Sequence, residues 1–575
     1  MHSLQLTVYS WQLAFNRLPF AVCRLSLLIL LTLLVSTAHA QRVPRYLVLL
    51  KDKTGTPFSI DKPEAFLSKK AIERRQRQNI KITTRDLPVN PTYVNQIRQT
   101  GATVWYTSRW LNAVLVQANA TQLTAIRALS FVAGLEFNRP LSNFRVSAEN
   151  ADQSTQQKLG TEGTEAFNYG TSLNQNQMLG VDKMHDAGYN GRGLSIAILD
   201  AGFRNSNTNR ALTSLFSDNR LLTTYDFVQK NTDVFEDDTH GNNVFSIMAS
   251  FQEGGIIGPA YGASYMLLRT EDAATETRLE EANWLVAAEF ADSSGVDIIQ
   301  SSLGYTTFDT PADNYTYANM NGRTALITRA ADWAAAVGIV VVVSAGNDGA
   351  SSWRYIAAPA DADSVLAVAA VNSTRGIATF SSIGPSADGR VKPDVSAQGV
   401  ATVLANSSGT VTTGNGTSYA APLIAGLVAA FWQAHPYLTA MQVIDCIRKA
   451  GDRYANPTVQ FGYGIPTFER AVEVARRDYP VTAIASWQRD VEAYASPNPA
   501  GIGTTLKVSL GTKIFDNESN IQFIDAAGRS VFEQAVQIGS QNQLELALPQ
   551  QLKSGTYFLR LSDKRQQQVL KIIVQ

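Results

Sequence analysis

"IVVVVSAGNDG" (339–349) is apolar at five consecutive positions before it turns small and polar at Ser344. A strand with one wet face alternates apolar and polar residues, whereas one that is apolar throughout is covered on both faces. The same texture recurs in "LSIAILDAG" (194–202), "YMLL" (265–268), "VDIIQS" (296–301) and "VLAVAAV" (365–371). Between these runs lie stretches of helical period such as "RLEEANWLVAAEF" (278–290) and "TALITRAADWAAA" (324–336). Alternation of this kind predicts an α/β fold, a parallel sheet with helices on both faces. In such sheets the working residues gather at the carboxyl ends of the strands.

Outward from this region, 575 residues are too many for one core, and two or three domains are expected. Residues 1–40 have the form of a secretory signal: Arg17 and Arg24 precede "LSLLILLTLLV" (25–35), and "AHA" (38–40) offers small residues for cleavage after Ala40. The run is shorter than the ~20 residues of a membrane span. No later stretch is long and apolar enough, so no span is expected once the signal is removed. Residues 41–147 read as a small α+β unit. Its basic stretch "KKAIERRQRQNIK" (69–81) reads as the solvated face of a helix. Residues 148–177 are polar and read as an exposed connection and processing region, with the α/β unit over 178–480. Residues 494–575 hold short alternating strands broken by turns, the pattern of a β-sandwich. Lys+Arg and Asp+Glu each total 49, which gives no reason to expect nucleic acid as a partner. With Cys23 in the signal, Cys446 stands alone, so no intrachain disulfide is expected. It lies in a helix-period stretch and reads as a buried thiol.

Candidate chemistry centres on "GNGTSYAAPLIAG" (414–426), which sets Ser418 among small residues ahead of Pro422. Proline is tolerated in a helix's first turn, so the sequence places Ser418 at a helix N-terminus. There it suits an N-cap or a nucleophile equally. A serine nucleophile needs a histidine base and a carboxylate to orient that base. His185 and His435 read as surface or capping residues. His240, in "DDTHGNNVFSIMAS" (237–250), opens an apolar helix and is the candidate base. Asp200 ends a buried strand and is the candidate orienting acid. Asn347 ends another, where its amide can donate to a developing oxyanion.

The chain order Asp200, His240, Ser418, with "DAG", "HG", "SLG", "AGN", "GTSYAAP" and "FSSIGPSADGRVKPDVSAQG" (380–399), resembles the subtilisin family. The resemblance implies a serine endopeptidase working through an acyl-enzyme on polypeptide substrates. In that reading Asn347 and the Ser418 N–H form the oxyanion hole. Ser302, Leu303 and Gly304 line the cleft as an extended edge, and Ser344, Ala345 and Gly346 wall the first pocket. Ala201, Asn242-Asn243 and Tyr419 depart from the family's usual residues, which bears on pocket shape and rate. An α/β-hydrolase is excluded because Ala420 stands where its motif needs glycine, and sedolisins because they use a glutamate base. A catalytically impaired surface protein of the same fold is the alternative. No cofactor is required for the chemistry; structural calcium is an expectation without assigned ligands. Residues 42–144 resemble the family's inhibitory propeptide, a partner in cis. "PNP" (497–499), "SGTYFLRL" (554–561) and "VLKIIV" (569–574) resemble a type IX secretion sorting domain, a carbohydrate-binding sandwich being the alternative. Together these imply a secreted or cell-surface enzyme that engages secretion machinery through its tail.

Overall fold

The computed structural model of the chain describes residues 43–142, 167–480, 493–510, 518–537, 543–563 and 567–575. The signal-like segment and residues 148–166 of the expected connection lie outside the described residues.

In the first unit, β1 (Arg45–Leu50), α1 (Lys69–Arg77), α2 (Pro91–Gln99), β2 (Thr103–Ser108), β3 (Ala113–Gln117), α3 (Ala120–Arg127) and β4 (Val132–Leu135) form a sheet of order β2-β3-β1-β4 with its helices. Its neighbouring strands run antiparallel. Alternation along β1 and β3 sorts the side chains. Val48, Val114 and Val116 face the unit's own core, while Leu47, Ala113 and Leu115 join the core of the next unit.

That next unit carries β5 (Ser195–Asp200), β6 (Leu221–Asp226), α4 (His240–Ala249), β7 (Ser264–Arg269), α5 (Arg278–Ser294), β8 (Ile298–Ser301), α6 (Leu326–Ala336), β9 (Val340–Ser344), β10 (Leu366–Val371), β11 (Val395–Gln398) and α7 (Thr417–Ala434). Seven strands pair in the order β11-β10-β9-β8-β5-β7-β6, all parallel. The apolar runs are explained by two cores. Ile196, Ile198, Val340, Val342 and Val368 pack with α4 and α7 on one face. Ala197, Leu199, Val341, Val343 and Ala367 pack with α5 and α6 on the other. The first unit packs against α5 on this second face through Leu47, Ala113 and Leu115.

Two expectations change here. Arg74 and Arg75 of α1 are buried rather than solvated, because both reach Asp292 on α5. Arg109 reaches the same carboxylate. Glu289, one turn earlier, accepts from Ser108 Oγ (2.5 Å), Arg109 N (2.9 Å) and Trp110 N (3.1 Å). Arg74 and Arg75 of the basic stretch thus form a contact patch whose counter-charge is Asp292 of another unit and, for Arg75, also Asp86 of its own, while Lys69, Lys70 and Lys81 stay exposed. Residues 167–177, expected to be exposed, pack into the α/β unit: Gln175 is buried and exchanges hydrogen bonds with both backbone groups of Val403.

The last unit is strand-rich. Sheets β12 (Tyr494–Ser496), β13 (Thr505–Ser509) and β16 (Gln543–Ala547), and β14 (Glu518–Asp525), β15 (Ser530–Gln537), β17 (Gly555–Ser562) and β18 (Gln567–Val574), enclose Leu506, Ile521, Phe523, Leu559 and Ile572.

Candidate active site

Asp200 is the last residue of β5 and is fully buried. Its Oδ1 accepts from the Ala201 N–H and lies 2.8 Å from His240 Nδ1. Its Oδ2 is buried with no hydrogen-bond partner among the described residues, beside the alanine that departs from the family pattern. His240 is the first residue of α4, and Asp238 Oδ1 accepts its N–H at 2.7 Å. A side chain at Gly241 would collide with Gly202 O at 2.3 Å and with Asp200 Cβ at 3.0 Å. Only glycine lets α4 begin this close to the strand end. Burial opposes charge on the imidazole, but Asp200, Asp238 and Glu271 outweigh it and push His240 up to about 9. The ring keeps about a third of its surface in water (31% exposed), which screens part of that field.

Ser418 is the second residue of α7, at the helix N-terminus as expected. Pro422 does not lie in the first turn, however; it sits inside the helix. A proline there cannot donate to the carbonyl four residues earlier, which is that of Ser418. The hydroxyl of Ser302 donates to that carbonyl instead, at 2.8 Å, and takes a bond from Gln300 Nε2 at 2.7 Å. Ser418 Oγ donates to Ser302 O at 3.3 Å. Among the described residues no hydrogen bond joins Ser418 to His240. The imidazole lies against Tyr419 with ring centroids 6.0 Å apart. Serine–histidine contacts in ligand-free sites are often long and tighten with substrate.

Asn347, exposed beyond β9, is oriented by a residue that sequence reasoning passed over. Its Oδ1 accepts from Thr417 N (2.9 Å) and Thr417 Oγ1 (3.0 Å), which leaves the amide nitrogen free to point elsewhere. A Cβ at Gly416 would stand 3.8 Å from Ser418 Cβ and 3.9 Å from Asn347 Nδ2, so the two side chains flank one small gap. Gly346 has φ +107°, and a Cβ there would meet Ser382 Oγ at 2.8 Å. Ser302, Leu303 and Gly304 follow β8, with only Gly304 exposed; Ser344 and Ala345 are buried at the end of β9. Asn242 is buried and ties α4 to its surroundings, donating to Ala405 O at 3.0 Å and accepting from Ser206 Oγ and Asn209 Nδ2. That accounts for its departure from the family pattern as packing.

The other two histidines among the described residues are structural. His185, expected at the surface, is buried between the Tyr169 hydroxyl (2.7 Å) and Pro259 O (3.1 Å). His435 is the C-cap of α7. Cys446 is fully buried. Among the described residues no group of three or more His, Cys, Asp or Glu side chains converges as a metal site. No helix among them is long and apolar enough to cross a membrane.

A parallel sheet that presents an acid, an imidazole and a hydroxyl at its strand ends and helix mouths defines the class, an α/β serine hydrolase. The model of the Subtilase family matches residues 191–465, that of the peptidase S8 propeptide domain of Bacteroidota residues 45–157, and that of the secretion system C-terminal sorting domain residues 495–575. Subtilisin NAT of Bacillus subtilis subsp. natto is 31% identical over 294 residues, 50% of this chain and 68% of its own. Subtilisin DY of Bacillus licheniformis is 30% identical over 298 residues, 52% of this chain and 97% of its own. The subtilisin of Bacillus pumilus is 30% identical over 294 residues, 50% and 94%. The chain belongs to the subtilase family. It is a serine endopeptidase with a family propeptide, and its tail directs export by the type IX route.

Proposed function

We propose that Asp200, His240 and Ser418 form the catalytic triad of this peptidase and that it works through an acyl-enzyme. Ser418 Oγ attacks the carbonyl carbon of the scissile bond, and the imidazole takes its proton. Asp200 holds the ring by Nδ1–H and stabilises the imidazolium. The tetrahedral oxyanion accepts from Asn347 Nδ2 and from the Ser418 N–H, which lies in the first turn of α7 and has no intrahelical acceptor. The imidazolium then gives its proton to the departing amine, and water repeats the sequence on the ester. Ser302–Gly304 aligns the substrate backbone, and Ser344–Gly346 bounds the pocket for the residue before the cut. The propeptide unit blocks this cleft until the connection after it is cut by the enzyme itself. The observation that carries the reading is the 2.8 Å contact between Asp200 and His240 at the mouth where Ser418 and Asn347 flank Gly416.

Ser418→Ala is expected to abolish peptide hydrolysis and fluorophosphonate labelling, and to leave the propeptide attached when the variant is made alone. Retained turnover would overturn the triad. Trimming of the variant at the wild-type bonds would overturn self-cleavage. Asn347→Ala is expected to lower kcat about 10²–10³-fold with little change in KM, because the amide acts on charge that develops in the transition state.

A further inference from the structure

Strand β8, covered on both faces, carries a glutamine. Its side chains alternate: Ile298 faces the core that holds α7, and Ile299 faces the core that holds α5 and α6. The α7 side continues through Gln300 and then Ser302, both buried. A polar side chain in such a place needs a partner. Gln300 Nε2 donates to Ser302 Oγ at 2.7 Å, while its Oε1 is buried with no hydrogen-bond partner among the described residues. The one bond the amide makes there is to the serine.

The direction of this chain of bonds follows from the groups in it. A carbonyl only accepts, and a hydroxyl has a single proton. Ser302 gives that proton to Ser418 O, at 2.8 Å, and therefore accepts from the Gln300 amide. Pro422, four residues beyond Ser418 inside α7, has no N–H to offer the same carbonyl. At the other end of that peptide group the Tyr419 N–H donates to Gly416 O at 3.1 Å. The Ser418–Tyr419 peptide plane is thus held at both its oxygen and its nitrogen. If it were free to turn about ψ of Ser418, the nucleophile would lose its fixed relation to His240 and Asn347. Ser302 also meets the nucleophile directly, because its carbonyl accepts from Ser418 Oγ at 3.3 Å.

We propose that Ser302, with Gln300 behind it, is a positioning residue for the nucleophile. Its hydroxyl stands in for the helical N–H that Pro422 lacks and fixes the line along which Ser418 Oγ attacks. This rests on the peptidase reading above, and it adds to the backbone role of residues 302–304 a side-chain role that needs no substrate.

The test reads the nucleophile with a small dialkyl fluorophosphonate, which makes no use of the substrate edge, and measures kcat and KM on a peptide beside it. A misplaced attacking group slows every reaction it makes. In the matured enzyme, Ser302→Ala should therefore slow labelling and lower kcat together, each about tenfold or more, with KM within about threefold. The labelling endpoint counts folded sites, so a variant that is merely less stable loses endpoint and keeps its rate. Pro422→Ala supplies an N–H four residues after Ser418. Alone it should change neither rate by more than about twofold, and in the Ser302→Ala background it should recover most of the loss. Gln300→Met removes the donor behind Ser302 and should slow labelling by about threefold, again recovered by Pro422→Ala; it carries the test if Ser302→Ala does not fold. Labelling at the wild-type rate overturns the proposal, as does a slow rate that Pro422→Ala leaves unchanged. Wild-type enzyme that takes no label at Ser418 overturns the triad itself, so the two failures are told apart.

Discussion

The two ends of α5 carry carboxylates in opposite condition. At its C-terminal end Asp292 is saturated by three guanidiniums from the propeptide unit. Around its N-terminal end Glu276 and Glu280, with Glu271 nearby, make no ion pair among the described residues. The helix dipole favours negative charge at the N-terminus and opposes it at the C-terminus. The acid at the unfavourable end is thus the one matched by cations, while those at the favourable end are held by hydrogen bonds alone, Glu280 by Thr275 and Thr277 and Glu271 by Tyr305. The carboxylate with its cations in place joins two units; Glu280, without them, closes the cap of its own helix.

Breaking the first end gives the largest expected effect. In the Ser418→Ala zymogen, Asp292→Ala strands Arg74 in a dry interface and takes a carboxylate from Arg109 and from Arg75, which keeps Asp86; it should cost about 3–5 kcal/mol of unfolding free energy. Denaturant unfolding measures it, and a loss below about 1 kcal/mol would remove the contrast. Glu289→Gln keeps the shape of its site but can accept at only one atom of the pair that now serves Ser108, Arg109 and Trp110. The expected loss is about 1–3 kcal/mol by the same measurement.

The contrast also has a pH signature. Burial opposes charge on Asp292, but Arg74, Arg109 and Arg75 outweigh it and hold it below the usual carboxylate range. A depressed pKa contributes stability that is present above the unfolded value and lost only as pH falls through the folded one. Glu271, Glu276 and Glu280 are raised, chiefly by burial. The native state therefore binds their protons more tightly than the unfolded chain does, and stability falls as pH rises from roughly 4.5 towards 8. The zymogen should melt at a lower temperature at pH 8 than at pH 5, and Glu271→Gln with Glu276→Gln should flatten that slope. A flat wild-type profile would contradict the raised state of these carboxyls. The smallest effect concerns His240, which Glu271 helps to hold up at about 9. Only neutral imidazole accepts the serine proton, so Glu271→Gln should move the acid limb of kcat/KM to lower pH, by less than about one unit.

Much of the α/β unit was legible because both-face burial writes unbroken apolar runs; Asp200 at the end of one strand and Asn347 shortly beyond another follow from them. His240 and Ser418 stood out by the glycines and alanines around them, and Gly241 has a steric reason to be there. What escaped reading depended on distant partners. Nothing near Arg74 and Arg75 announces Asp292, more than two hundred positions away. His185 looks like a surface residue until Tyr169 and Pro259 close over it. Pro422 was read as a first-turn residue, although the helix begins early enough to place it inside. The acids at the start of α5 read as an ordinary helix start, which the capping box at Glu280 bears out, and only the fold brings Asp309 to Glu276.

The displaced proline has an evolutionary consequence. Because Pro422 cannot serve the Ser418 carbonyl, the hydroxyl of Ser302 has become that carbonyl's donor, and two codons far apart in the gene share one physical duty. A lineage that replaced Ser302 by alanine would strand a buried acceptor behind the nucleophile. One that first replaced Pro422 by alanine would restore the helical amide and free position 302 to drift. The order in which such changes are tolerated is therefore written into the helix, and descendants of this enzyme should cross between the two states through position 422 before position 302.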